Sequence, residues 1–175
     1  MLRAHQTDTV RPEGMGGAGI FIIESQTPNF NSIFDSVSEG GTKLVMVQRY
    51  LPEAKIGDKR IILLNGEPLG AILRVPQGTD FRGNMAAGGI AEGSKITARE
   101  HEIIARIAPE LRARGLYFVG LDVIGERVTE INVTCPTGVQ EINNLHGLRI
   151  DRDVLDFVDA RANAAKEAAS AQVSS

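Results

Sequence analysis

The sequence predicts a mixed α+β fold, an antiparallel sheet with packed helices. Two pairs of apolar runs read as β-hairpins, residues 61–64 with 69–75 and residues 116–124 with 128–133. The first pair is joined by Asn-Gly, which suits a tight hairpin turn because both residues tolerate a positive φ. Between the hairpins, residues 97–114 have the apolar spacing of an amphipathic helix, and Thr97 with Glu100 predicts a capping box at its start. Strands and helices do not alternate regularly, so the order of elements indicates α+β rather than α/β.

The remaining predicted segments lie before, between and after these hairpins. A strand at 20–23 follows a glycine-rich run, a helix at 30–37 ends before two glycines, and a strand at 44–51 is closed by a proline. Residues 154–169 form an alanine-rich helix. The glycine-rich stretch 76–93 is a long loop, and long loops inside compact domains are usually functional lids or disordered segments.

These elements suggest a simple division of the chain. Residues 1–13 are polar and are expected to be a frayed end. Residues 14–158 form one domain, and residues 159–175 form an alanine-rich helix and tail.

Composition excludes several classes of protein. The chain has 175 residues, of which 42% are hydrophobic and 23% charged, typical of a globular domain. A net charge of -3 disfavours general nucleic-acid binding. No run approaches the roughly 20 apolar residues of a membrane span. A single cysteine fits a reducing compartment, so we expect a cytoplasmic protein with no membrane or nucleic-acid partner.

The second hairpin carries the clearest candidate for a cation site. Asp122 lies on its first strand, and Glu130 and Asn132 lie two residues apart on its second, so those two share a face. A two-residue loop would pair Asp122 with Thr129, whereas a three-residue loop at 125–127 would pair it with Glu130. We predict the three-residue loop, with one residue at positive φ. Two carboxylates and an amide oxygen suit Mg²⁺, although a solvent-exposed polar face is the alternative.

Three further features suggest a site for an anionic substrate. Arg60, Arg74 and Arg82 flank the first hairpin and the long loop, where guanidinium groups could hold carboxylates or phosphates, or could be ordinary surface charges. Small residues at 77–89 fit a flap that closes over a substrate, with disorder as the alternative. The run Gly14-Met15-Gly16-Gly17 could cradle phosphate oxygens, but on its own it is more often a turn.

Taken together, these segments closely resemble the C-terminal ATP-grasp portion of prokaryotic glutathione synthetases, from about residue 14 to residue 142. The resemblance rests on the segments Gln48-Arg49-Tyr50-Leu51-Pro52, Asp58-Lys59-Arg60, Arg74-Val75-Pro76-Gln77-Gly78, Arg82-Gly83-Asn84-Met85-Ala86-Ala87-Gly88-Gly89, Phe118-Val119-Gly120-Leu121-Asp122 and Thr129-Glu130-Ile131-Asn132-Val133-Thr134-Cys135-Pro136-Thr137-Gly138.

The resemblance implies a reaction in which γ-glutamylcysteine and glycine are joined at the expense of ATP, through an acyl phosphate. It also implies a role for each matching residue. The implied roles are cation binding by Asp122, Glu130 and Asn132, with Mg²⁺ or Mn²⁺; ATP binding by Gly14, Met15, Gly16, Gly17, Gln48, Arg49, Tyr50 and Leu51; catalysis by Arg60, Arg74 and Arg82; and substrate binding by Asn84, Gly88, Gly89, Thr134, Pro136 and Thr137.

The chain also departs from the family pattern. Only thirteen residues precede Gly14, where the family has a substrate domain and a first ATP-grasp lobe. The sequence is therefore interpreted as a truncated synthetase. Three hypotheses stay open at this stage: the ligase, a nucleotide-binding remnant without catalysis, and an interaction subunit that pairs with itself or with an intact synthetase.

Overall fold

The chain folds into two compact units. In the computed structural model, the residues described are 7–12, 21–24, 28–77 and 89–173. One unit comprises Met1–Asp58 with Arg74–Ile90, and the other comprises Lys59–Leu73 with Ala91–Ser175. This division does not coincide with the boundaries expected at residues 13/14 and 158/159.

The first unit contains a small antiparallel sheet. Its strands are β1 (Thr7–Pro12), β2 (Phe21–Glu24) and β3 (Val45–Arg49), in the order β2-β1-β3. The expected frayed end therefore contains a strand, and that strand is central. β1 is polar and lacks the apolar alternation of a strand, but partners on both sides satisfy its backbone groups.

A short helix packs beside this sheet and confirms the predicted pattern. Helix α1 spans Phe30–Val37, and the chain turns after it through Gly40 and Gly41, whose φ angles are +66° and +85°. Burial of apolar side chains holds the helix in place. The cluster consists of Ile23, Phe30, Ile33, Phe34, Val37 and Val45.

The second unit contains most of a five-stranded antiparallel sheet. The strands of this sheet have the order β6-β5-β4-β7-β8. The strands are β4 (Asp58–Leu64), β5 (Glu67–Val75), β6 (Ile90–Ser94), β7 (Phe118–Ile124) and β8 (Arg127–Asn132). Both predicted hairpins are confirmed. Asn65 and Gly66 have φ angles of +51° and +78°, as their turn type requires. β6 begins inside the stretch predicted to be loop.

One face of this sheet is covered by helix α2 (Ala98–Ala113). Its predicted capping box is confirmed: the Glu100 N–H donates to Thr97 Oγ1 at 3.2 Å, and the Thr97 N–H donates to Glu100 Oε2 at 2.7 Å. The core beneath the helix consists of Ile61, Leu63, Ala71, Ile104, Leu111, Val119, Leu121 and Val123.

The opposite face carries helices α3 (Val139–His146) and α4 (Ile150–Val173). Ile62, Ile72, Ile142 and Ile150 form its core. Helix α3 was not predicted from the sequence. Helix α4 begins at residue 150, four residues before the predicted start at residue 154. No helix among the residues described is long and apolar enough to span a membrane.

The junction between α3 and α4 is held by polar side chains. Asn143 accepts a hydrogen bond from the Ile150 N–H at 2.8 Å and donates to Asp151 at 2.7 Å. Hydrogen bonds from Arg149, and then from Asn143, lower the pKa of Asp151 below its ordinary value. The carboxylate therefore stays ionised at the start of α4, where a negative charge favours the helix.

Candidate cation-binding site

The β7–β8 hairpin places Asp122 directly opposite Glu130. This register was predicted, but the predicted three-residue loop is wrong. Ile124 pairs with Arg127, so the turn has two residues, and the odd residue is instead a bulge at Thr129, between the pairs Val123–Val128 and Asp122–Glu130.

The bulge is stabilised locally, and the turn uses a glycine. The Thr129 hydroxyl donates to the main-chain carbonyl of Asp122 at 3.3 Å. Gly125, the first turn residue, has a φ of +60°, which confirms the predicted positive φ. A two-residue turn alone would pair Asp122 with Thr129 and place Glu130 on the other face. The extra residue at the bulge shifts the pairing by one, so Glu130 shares a face with Asp122.

The third member of the predicted set lies beside the first. Asn132 pairs with Gly120, and its amide nitrogen donates to Asp122 Oδ2 at 3.2 Å. Asp122 is buried, whereas Glu130 and Asn132 are partly exposed. Two carboxylates and an amide thus converge at one edge of the sheet, and this donor set fits a hard divalent cation such as Mg²⁺.

The opposite face of β8 is exposed to solvent. Ile131 and Val133 lie on that face and are 43% and 44% exposed. β8 is an edge strand. The core on that face is supplied instead by the adjacent strand, through Val119, Leu121 and Val123.

Arg60 is buried against Asp122. It lies on β4 directly opposite Asp122 and is 6% exposed. Its Nε donates to Asp122 Oδ1, and its Nη2 donates to Asp122 Oδ2 at 2.8 Å. Its Nη1 donates to the Thr137 carbonyl at 3.1 Å. The sequence left open whether Arg60 holds an anionic substrate or is an ordinary surface charge. In the structure the guanidinium is buried and binds Asp122 and the Thr137 carbonyl.

Arg74 is also paired. It is 5% exposed, and its Nη2 donates to Asp58 Oδ2 within an ion pair. Arg82, the third predicted arginine, lies outside the residues described, as do Asn84 and Gly88. Gly89 is described and is half-buried.

The predicted substrate segment follows β8 without regular structure. Thr134 and Thr137 are exposed, whereas Pro136 is buried. Cys135 is exposed and has a φ of +46°. The chain then enters α3 through Gly138, whose φ of +110° favours glycine.

The predicted nucleotide residues are described only in part. Gln48 and Arg49 end β3, with Gln48 half-buried. Tyr50 and Leu51 follow, and Leu51 precedes a short 3-10 helix at Pro52–Lys55. The run Gly14, Met15, Gly16 and Gly17 lies outside the residues described.

Gly120 lies beside Arg60 and Pro136, and the family resemblance implies no separate role for it. A Cβ at Gly120 would lie 2.8 Å from Pro136 Cβ and 3.1 Å from Arg60 Nη1. A glycine in the middle of an apolar strand often marks such a close approach, and this is the signal that could have identified it.

Gly120→Ala is therefore expected to lower the free energy of unfolding by about 1–3 kcal/mol, the usual result of overpacking. Gly93→Ala is the matched control, since its nearest contact would be an ordinary 3.5 Å from His146. Denaturant unfolding of both variants checks this expectation, and equal losses would contradict it.

Similar solved structures identify the fold. The chain superposes on D-alanine–D-alanine ligase from Bacillus anthracis with a TM-score of 0.62 and 16% identity, covering 92% of this chain and 56% of that one. It matches the ATP-grasp ligase PsnB, solved with the precursor peptide PsnA2 and AMPPNP, with a TM-score of 0.60 and 17% identity, covering 90% of this chain and 47% of that one. The fold is ATP-grasp.

Sequence relatives narrow the class to one family. Residues 2–147 match the prokaryotic glutathione synthetase, ATP-grasp domain, and the chain belongs to this family. It is 53% identical over 150 residues to glutathione synthetase from Synechococcus elongatus, covering 86% of this chain and 46% of the relative. The corresponding enzyme of Xanthomonas campestris is 46% identical over 159 residues, with 90% and 50% covered. The chain thus spans about half the length of the curated relatives it matches.

Proposed function

We propose that this chain provides the cation- and nucleotide-binding part of an ATP-dependent ligase that joins γ-glutamylcysteine to glycine. The observation that carries the proposal is the convergence of Asp122, Glu130 and Asn132 at one edge of the sheet. The substrates are inferred from the relatives, glutathione synthetases that are 46–53% identical to this chain.

Negative charge is the main obstacle in this reaction. The γ-glutamylcysteine carboxylate must approach the γ-phosphoryl group of ATP, which brings several anionic oxygens together. A divalent ion bound at this site would offset that charge. Asp122, Glu130 and Asn132 would hold the ion as Mg²⁺ or Mn²⁺, with water and phosphate oxygens completing its coordination.

The chain need not supply a covalent nucleophile. The substrate carboxylate attacks the γ-phosphorus, ADP leaves, and an acyl phosphate forms. The glycine amine then attacks the acyl carbon, loses its proton, and releases phosphate as the amide forms. We propose that Arg74 and Arg82 stabilise the transferring phosphoryl group.

The other predicted contacts have narrower roles. Gln48, Arg49, Tyr50 and Leu51 would contact the adenine, and Gly14 to Gly17 would bind the phosphates through backbone N–H groups. Asn84, Gly88 and Gly89 would cover the acyl phosphate, and Thr134, Pro136 and Thr137 would line the site for the peptide substrate.

Nucleotide binding tests the proposal directly. Calorimetric titration with a non-hydrolysable ATP analogue is expected to show binding with Mg²⁺ and about tenfold weaker binding with EDTA, since bound ion and phosphate contribute to each other's affinity. Absence of binding under both conditions would contradict the proposal.

Turnover separates the full reaction from binding alone. ADP formation that requires both γ-glutamylcysteine and glycine would assign the whole reaction to this chain. Binding without turnover would assign to it only the cation and nucleotide site. Light scattering of the same sample would test the self-pairing left open by the sequence.

A further inference from the structure

Arg60 joins two parts of the site that lie 62 and 77 residues away from it in sequence. Its Nε and Nη2 donate hydrogen bonds to the Asp122 carboxylate. Its Nη1 donates to the Thr137 carbonyl, in the segment before α3. One rigid, planar guanidinium group therefore fixes a carboxylate and a main-chain carbonyl relative to each other.

Two glycines make room for this arrangement. A Cβ at Gly120 would lie 3.2 Å from Arg60 Cδ, and a Cβ at Gly138 would lie 3.4 Å from Arg60 Cγ. The aliphatic part of Arg60 thus runs closely past the backbone on both sides. The side chain is buried, and three of its nitrogen atoms donate to acceptors of the protein itself.

We propose that Arg60 is a positioning residue that couples the cation site to the segment 134–138 and the first turn of α3. It orients Asp122 for the cation and holds the Thr137 carbonyl, so that an ion bound by Asp122 also restrains this segment. The coupling to the cation rests on the proposed function, whereas the restraint of the segment by Arg60 does not depend on it.

The chemistry of arginine explains why the position needs this residue. A carboxylate and a carbonyl are both acceptors, and arginine presents several N–H donors in a fixed plane. Lysine would keep the charge but could not reproduce the two-point grip on Asp122 together with the bond to Thr137. Arg60→Lys therefore keeps the positive charge while it removes the contacts that position Asp122 and Thr137.

Hydrogen exchange measured by mass spectrometry tests the restraint without any ligand. In Arg60→Lys, amides within residues 136–142 are expected to exchange about tenfold faster than in the parent, because a charge-assisted hydrogen bond to the segment is lost. Exchange in α2 should not change. If the variant does not fold, Asp122→Asn, which loosens the same grip, carries the same expectation.

A matched control lies next to Arg60 on the same strand. Lys59 has an ion pair with Glu100 at 2.8 Å and donates to the Lys95 carbonyl at 3.0 Å, beside the start of α2. Lys59→Gln should speed exchange near residues 95–100 and leave 136–142 unchanged. Equal effects of both variants on 136–142 would overturn the proposal, because they would indicate general destabilisation.

Hydrogen exchange measured with added cation tests the coupling separately from the proposed function. Adding Mg²⁺ with the ATP analogue should slow exchange at 136–142 in the parent and change it less than twofold in Arg60→Lys. Equal slowing in both proteins would overturn the coupling. If the parent does not respond and calorimetry detects no binding, the proposed function fails, while the ligand-free comparison still tests the restraint.

Discussion

Asp122→Ala is expected to lower the free energy of unfolding by about 3–5 kcal/mol, the largest loss of any substitution considered. The physical reason is that Arg60 would keep a buried positive charge without its counter-ion. The same substitution removes one of the three proposed cation ligands, so binding of the ATP analogue should lose its dependence on Mg²⁺.

Urea unfolding and calorimetry measure the two consequences separately. The double variant Arg60→Met/Asp122→Leu should regain most of the stability, since apolar residues of similar size often replace a buried ion pair without loss. It should not regain Mg²⁺-dependent binding. Glu110→Ala, which removes an exposed ion pair with Arg114, serves as a control and should cost below about 0.5 kcal/mol. A similarly small loss for Asp122→Ala would contradict the expectation.

Glu130→Gln is expected to weaken Mg²⁺-dependent binding of the ATP analogue by at least about 10- to 100-fold. Loss of a residue that only orients a metal ligand often weakens metal binding by this factor. Loss of a charged ligand itself should therefore weaken binding at least as much. Glutamine keeps the shape of the side chain, and Glu130 is only partly buried, so stability should change little.

The turn of the same hairpin offers the matched control for Glu130. Glu126 is exposed beside Gly125, and Glu126→Gln removes the same charge without removing a ligand. Its affinity should stay within about twofold of the parent, since exposed charges are screened at physiological salt. Equal losses in the two variants would indicate a general electrostatic effect and contradict ligation by Glu130.

Local patterns predicted much of the fold. The Asn-Gly turn, the capping box at Thr97 and the helix at 30–37 are all short-range signals, and all three are confirmed. β1 lacks apolar alternation and is a strand because of its neighbours. Helix α3 has only eight residues, and a short helix derives its stability mainly from tertiary packing, here through buried Ile142.

The site was predictable as a set of residues but not as a set of contacts. The pairing of Asp122 with Glu130 depends on a bulge at Thr129, which nothing in the spacing distinguishes from a longer loop. Arg60 and Asp122 are 62 residues apart, and their contact depends on the register between β4 and β7. Motifs therefore identified the candidate residues, whereas non-local pairing decided which group Arg60 binds.

Paramagnetic relaxation by Mn²⁺ tests the cation site most directly. When Mn²⁺ and the ATP analogue are added to the ¹⁵N-labelled chain, the amide resonances of Asp122, Glu130 and Asn132 should broaden first, because relaxation falls steeply with distance from the ion. Glu130→Gln should abolish this selective broadening. Broadening centred elsewhere in the chain, with these three resonances unaffected, would contradict a cation site on the β7–β8 hairpin.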